Sequence, residues 1–294
     1  MTTLSIDTTR RLPAAGRWAG LAGLAQGDDP DARDRAFVLL HGLTFDRRMW
    51  EPVLGALPLR HRAIALDLPG HGQSAPLERH HLGDVVDAIH DAVLEAGIDA
   101  PIVVGHSVGG AIAGIYGATY PTAAVVSVEA PIDVLPFAMT ARALEPQLTG
   151  EDFAATWARF RDSWHMELVP PAMRHLLRPG EDASQDIVTS YWSDLFELPV
   201  GELLAWVSAS FERVRAGAVP AMLMYGSPPG EGELEMAAAR LPHAEVLVWP
   251  VGHHFPHLAD PYRFAALLTG LAAALPTPGA TGWPAADRRR PTDE

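Results

Sequence analysis

The chain has 294 residues, no cysteine and a formal charge of −14. The missing cysteine excludes thiol nucleophiles, disulfides and cysteine-ligated metals, and the acidic balance argues against a nucleic-acid surface or an anionic membrane as partner. With 48% hydrophobic and 20% charged residues, the composition is that of a globular protein, long enough for one α/β domain with an insertion or for two small domains.

The first residues, MTTLSIDTTRRLPAAG, hold no continuous apolar stretch, because Asp7, Arg10 and Arg11 interrupt it, so no secretory leader is expected. No apolar run reaches about 18 residues, so no membrane span is expected; a cytoplasmic location follows by default. Six short apolar runs then read as buried parallel strands: AFVLL (36–40), AIALDL (63–68), IVVG (102–105), VVSVE (125–129), AMLMYG (221–226) and EVLVW (245–249). Near-continuous apolar character over four to six residues marks a strand covered on both faces. Helical patterns lie between most of them. In LGDVVDAIHDAVLEAG (82–97), Val85, Ile89, Val93 and Leu94 fall on one face and Gly97 suits the C-cap. The alternation predicts an α/β fold with a mostly parallel, doubly wound sheet, its ligands at the carboxyl ends of the strands.

The rhythm breaks between Pro131 and Val219, where proline-punctuated helical patterns run without a clear strand. The expected organisation is a core of residues 1–130 and 219–275, a helical lid over 131–218, and a Pro/Gly-rich, aperiodic tail from 276 to 294 that reads as disordered. Four of the eight tryptophans fall in the insertion. Phe137, Met139, Phe153, Trp157, Trp164, Met166, Trp192, Phe196 and Trp206 give it a strongly apolar character. Phe137, Trp157, Trp192 and Trp206 are the candidate substrate contacts; the plainer alternative is that such rings only pack the lid onto the sheet.

The run VVGHSVGGAIAG (103–114) sets Ser107 in a G-x-S-x-G spacing between a strand and a helix. Glycines two residues either side permit a sharp turn that lifts the hydroxyl above the sheet edge, while the helix start aims free N–H groups at the same spot. Ser107 is therefore the candidate nucleophile. LLHGLTFDRRMW (39–50), DLPGHGQS (67–74), GHSVGG (105–110) and GHHFPHLADP (252–261) occur in an order and spacing that resembles the α/β-hydrolase superfamily over roughly residues 30 to 275. The resemblance implies a sheet of that type with a lid. It also implies an oxyanion hole formed by the backbone N–H groups of Val108 and Leu43, with Gly42 the neighbouring candidate. His41 and His71 belong to those turns and read as supporting hydrogen-bonding residues.

For the base, laying the family's usual P-G-x-G-H-F-P-H-L-x-x-P run without gaps from Pro250 to Pro261 selects His254; alignment on Gly-His alone would select His253. His257 reads as a surface or capping residue at the start of the next helix. For the acid, the family's usual aspartate after the AMLMYG strand is replaced by Pro229, and Glu231 reads as a first-turn acid of the following helix. Glu129 ends a buried strand, where a charge demands a partner, and some members, zearalenone-type lactonases among them, take their acid from this strand end in a similar E-x-P context. Glu129 is the expected acid, against a structural role capping the lid's first turn; Asp133 is next.

Ser107, His254 and Glu129 form an acyl-transfer constellation. The expected reaction is hydrolysis of a small-molecule carboxylic ester or lactone, apolar or aromatic, with no metal and no organic cofactor. The same triad would serve a C–C bond hydrolase or a cofactor-free perhydrolase, and a non-hydrolytic ligand-binding version of the fold stays open, as does a homo-oligomer.

Overall fold

The computed structural model describes residues 13–27, 35–180 and 183–275. The chain enters through a hairpin, β1 (Ala14–Trp18) and β2 (Leu21–Gln26). The six apolar runs each form a strand: β3 (Phe37–Leu40), β4 (Ala63–Leu66), β5 (Ile102–His106), β6 (Ala124–Val128), β7 (Ala221–Tyr225) and β8 (Glu245–Val248). The sheet order is β1-β2-β4-β3-β5-β6-β7-β8. Strands β3 to β8 pair in parallel, and β1 and β2 are antiparallel. Every residue of β3, β4, β5 and β6 is buried. Both faces of these strands are covered, which is why their sequences show no alternation.

Helices follow the strands: α1 (Glu51–Ala56), α2 (Leu82–Glu95) and α3 (Val108–Thr119) in the first half. In α2, Val85, Ile89 and Val93 are fully buried, but Leu94 is 53% exposed; one residue beyond Val93 turns it some 100° off the packed stripe. Gly97 takes a positive φ of 67°, letting Ile98 N–H reach Val93 O at 3.1 Å and close the helix.

Between β6 and β7 the described residues hold helices and no strand: α4 (Val134–Leu148), α5 (Phe153–Asp162), α6 (Gln185–Tyr191), α7 (Ser193–Glu197) and α8 (Val200–Ala216), with 3-10 turns at 166–168 and 174–180. After β7 come α9 (Glu231–Arg240), and after β8, α10 (Pro256–Ala259) and α11 (Pro261–Ala274). The inserted helices are fastened to the sheet's loops. Asp194 accepts from His81 Nδ1 at 2.6 Å and from Leu82 N–H at 3.0 Å, and Tyr191 OH donates to Pro69 O at 2.8 Å. α8 packs along α3, and α3 lies on β5 and β6. No helix among the described residues is long and apolar enough to cross a membrane. The tail from 276 to 294 lies outside the described residues.

Candidate active site

Strand β5 ends at His106, and Ser107 turns the chain at φ 53° and ψ −121° into the first residue of α3. A non-glycine residue held there stores backbone strain, and the surroundings enforce it. Ser107 N–H donates to Val128 O at 2.8 Å, extending the β5–β6 ladder by one bond. A Cβ on Gly109 would stand 2.5 Å from Leu40 O and 2.6 Å from His41 O, and one on Gly105 would collide with Gly109 O. Both glycines of the motif are thus demanded by close backbone approach.

One residue past β6, Glu129 also takes a positive φ of 56°, with its N–H on Met224 O at 2.9 Å. Its Oε1 accepts from the Gly226 N–H and its carboxylate also from the Ser227 N–H. Oε2 lies 3.4 Å from His254 Nδ1. Burial pushes the Glu129 carboxyl above its ordinary range, opposed by the Gly226 and Ser227 amides and by His253. Burial, reinforced by His253, pulls His254 down to about 3, so the imidazole is neutral at pH 7. The His254 carbonyl accepts from His106 Nε2 at 2.7 Å, and its ring stacks on Trp164 at 5.5 Å and 18°. The other ring nitrogen, Nε2, is buried without a hydrogen-bond partner, an acceptor left open beside Ser107's cavity.

Of the two competing histidines, His254 lines this cavity. His253, at φ 48°, turns away and packs on the His165 ring at 4.4 Å. His257 is fully buried, its ring 4.6 Å from that of Trp50; the surface reading of this residue is wrong, because α10 packs against α1 and α11 with Pro256, His257 and Leu258 all buried. Asp133 caps α4, accepting from Leu135 N–H at 3.2 Å. Glu231 begins α9 as expected, and its side chain lies outside the described residues. Sequence reading missed Glu233, whose carboxylate receives Ile132 N–H, Asp133 N–H and Tyr225 OH, clasping the start of the insertion to β7 and α9. It is one of several acids in that helix, and nothing local singles it out.

Leu43 and Val108 both border the cavity next to Ser107, whereas Gly42 does not. Gly42 sits behind them, where a Cβ would stand 2.7 Å from His106 Nδ1 and 3.3 Å from Ser107 Cβ. Two neutral histidines shape the turn. His41 Nδ1 donates to Gly42 O at 2.8 Å while its Nε2 accepts from Leu68 N–H at 3.0 Å. His71 Nδ1 donates to Pro69 O while its Nε2 accepts from Thr44 N–H, both at 3.1 Å. Burial holds His71 down at about 3, so each ring keeps one tautomer, the one its partners require.

The cavity has a volume of about 440 Å³. Ser107, Glu129 and His254 border it, and so do all four expected contacts, Phe137, Trp157, Trp192 and Trp206, joined by Phe160 and Trp164. The packing role holds as well: Trp157 and Trp192 are almost wholly buried against one another, ring centres 5.8 Å apart. Met139, Phe153, Met166 and Phe196 do not reach the cavity; Met139 is 53% exposed on the outer side of α4.

A mostly parallel sheet whose central strand ends in a strained serine turn, with a histidine loop after the last strand, is the α/β-hydrolase arrangement. The chain belongs to the alpha/beta hydrolase family, whose model matches residues 37–267, and it is a hydrolase. It is 27% identical over 263 residues to the pimeloyl-[acyl-carrier protein] methyl ester esterase of Vibrio vulnificus, covering 84% of this chain and 96% of that one. Among solved structures, the enol-lactonase of Burkholderia xenovorans LB400 superposes with a TM-score of 0.69 at 15% identity, covering 88% of this chain and all of that one. E-2-(acetamidomethylene)succinate hydrolase gives 0.68 at 19% identity, with 89% and 100% covered.

Proposed function

We propose that the chain cleaves a carboxylic ester or lactone of an apolar or aromatic substrate through a Ser107–His254–Glu129 triad, with the helices of 131–218 acting as a lid. The observation that carries this reading is the convergence on one apolar cavity of a strained serine, a neutral histidine with its Nε2 unpaired, and a buried carboxylate 3.4 Å from that histidine's Nδ1. The names of the relatives, an esterase and an enol-lactonase, support the bond type.

In this mechanism Ser107 Oγ attacks the carbonyl carbon as His254 Nε2 takes its proton. Glu129 stabilises the imidazolium through Nδ1–H. The carbonyl oxygen, now an anion, accepts the N–H groups of Val108 and Leu43; donors so placed are commonly worth about 3 kcal/mol each in the barrier. His254 returns the proton to the leaving oxygen, the C–O bond breaks, and an acyl-Ser107 ester remains. Water then repeats the sequence, His254 taking its proton, and the free acid and Ser107 are released.

The test is covalent labelling by a fluorophosphonate together with turnover of activated esters. The wild type should label at Ser107, and Ser107→Ala should neither label nor turn over, losing on the order of 10⁴ or more in rate while staying folded. A wild type that is folded but neither labels nor cleaves any ester would instead support a ligand-binding role.

A further inference from the structure

The cavity extends well beyond what bond cleavage requires. From Ser107 it continues along α3, between that helix and α8, over the strands β6 and β7. Its walls follow the periods of the elements that supply them. Val125 and Ser127 alternate onto one face of β6, and Ala221 and Leu223 onto the same face of β7, while Val207, Phe211 and Val214 recur about once per turn of α8. From Val108 to Ile115 along α3 is about 10 Å at the helical rise. From Val128, which holds Ser107 N–H, back to Val125 is also about 10 Å along the strand.

The far section is open because α3 faces it with the small residues Gly110, Ala111 and Gly114. These two glycines have different causes. A Cβ on Gly110 would stand 2.8 Å from Ala130 Cβ and from Ser127 Oγ, so packing requires that residue. At Gly114 a Cβ would meet nothing within 4 Å, and φ is not positive. Glycine inside a helix is destabilising relative to alanine, and at Gly114 neither packing nor backbone geometry asks for it. What it leaves is open bore.

The chemistry of the two ends differs. Aromatic rings of the insertion surround the end at His254, with Trp164 against the base. Among the described residues no arginine or lysine borders the far section: Arg213 and Arg240 lie behind its wall, Arg213 donating to Ser210 Oγ at 3.2 Å and Arg240 standing over the Phe211 ring, and the Ser210 hydroxyl itself donates to Trp206 O at 3.1 Å. The leaving oxygen must sit at His254, so the leaving group points to the aromatic end and the acyl group is directed along α3. Resting on the ester-hydrolase reading above, we propose that this section is an acyl-chain channel for an unbranched aliphatic acyl group, with Gly114 setting its bore. An extended chain advances about 1.2 Å per bond, so some 10 Å accommodates roughly eight carbons.

The experiment is the kcat/KM profile over p-nitrophenyl esters from acetate to dodecanoate. Each buried methylene is worth up to about fourfold in kcat/KM. The wild-type profile should climb from acetate, peak near octanoate and fall by dodecanoate. Gly114→Leu should move the peak to butanoate or shorter and lower the octanoate-to-acetate ratio by about tenfold or more, the loss expected when two or more methylenes are refused. Val207→Phe, from the opposite wall, should do the same should the first variant fold poorly. Gly201→Leu adds the same bulk on an open face of α8 that does not border the cavity, and should keep the wild-type profile. A wild type that prefers acetate to octanoate overturns the channel. So do Gly114→Leu and Val207→Phe variants whose ratios stay within about threefold of wild type, less than one methylene's worth. In both cases fluorophosphonate labelling and acetate turnover would persist, so the channel falls and the ester-hydrolase reading stands. An unlabelled, inactive wild type removes both.

Discussion

Glu129→Gln isolates the charge of the carboxylate from its shape. In the wild type Oε1 takes the Gly226 N–H and Oε2 faces His254 Nδ1 at 3.4 Å. The Gly226 amide is a fixed donor at the end of β7, so a glutamine must offer it the carbonyl oxygen. The NH₂ group then falls opposite His254 Nδ1, which can only accept from it. The ring proton is thereby driven to Nε2, the atom that must be free to take the Ser107 proton. The variant loses both the charge that stabilises the imidazolium and the productive tautomer. By analogy with the aspartate-to-asparagine change in the serine-protease triad, turnover should fall by about 10² to 10⁴, or about 3 to 5 kcal/mol in the barrier. Stability should behave differently. Burial already disfavours the charged form of Glu129, so a neutral isostere should leave the thermal midpoint within about 3 °C of wild type. The assay is kcat on one activated ester, with circular dichroism melts, beside Asp133→Asn and Glu231→Gln. Asp133 is occupied with the α4 cap, and Glu231→Gln should change turnover by less than about threefold, as a residue favouring only the helix dipole would. Wild-type turnover in Glu129→Gln beside a crippled Asp133→Asn or Glu231→Gln would refute the reasoning and move the acid.

Three further outcomes are expected. His254→Ala should be nearly as damaging as Ser107→Ala, the double variant little worse than either, and His253→Ala much milder; steady-state kinetics of the set decides this, and a more severe His253→Ala would reverse the assignment. Gly226→Ala places a Cβ against the His253 carbonyl and should push the histidine loop from Glu129, lowering kcat/KM by about 10², the scale of an ångström's misplacement; wild-type kinetics would contradict it. Burial lowers the folded-state values of His41, His71, His106, His254 and His257 below 6.5, so the unfolded chain binds protons first as pH falls. Stability should be full above pH 6.5 and decline towards pH 3, with His71 alone contributing a loss of about 3 kcal/mol by pH 4; thermal midpoints that stay level from pH 7 to 5 would exclude this.

EVLVW became a strand, but as the sheet's edge, β8, with Val246 and Val248 39% and 40% exposed where burial was expected. The inner strands β3 to β7 were legible because a short, continuous apolar run bounded by turn residues is covered on both sides. The β1–β2 hairpin was not. Its residues are mostly alanine, glycine and leucine, and its two-residue turn uses Ala19 and Gly20 at φ 43° and 84° instead of the Asn-Gly or Asp-Gly pairs that announce such turns. Trp18 covers Gly16 and Gly23, whose Cβ positions would lie within 3 Å of the indole, a contact visible only after pairing. In the site, Ser107 was marked by its glycines and Glu129 by the proline standing where an acid was expected. The stacking of Trp164 on His254, the burial of His257 and the clasp at Glu233 depend on where distant segments meet, and no local pattern carries that information.

Locating the candidate acid beyond β6 changes what the β7–α9 connection is for. Its first two amides, Gly226 and Ser227, are committed to Glu129. Gly230 O already accepts Glu233 N–H at 3.0 Å to start α9, whereas Pro228 and Pro229 have no amide N–H to commit and Pro228 faces solvent. That short stretch is a splice point: a reporter, an affinity tag or a whole second domain could be sewn in there. Each of the three candidate catalytic groups would remain on its own side of the seam, Ser107 and Glu129 before it and His254 after.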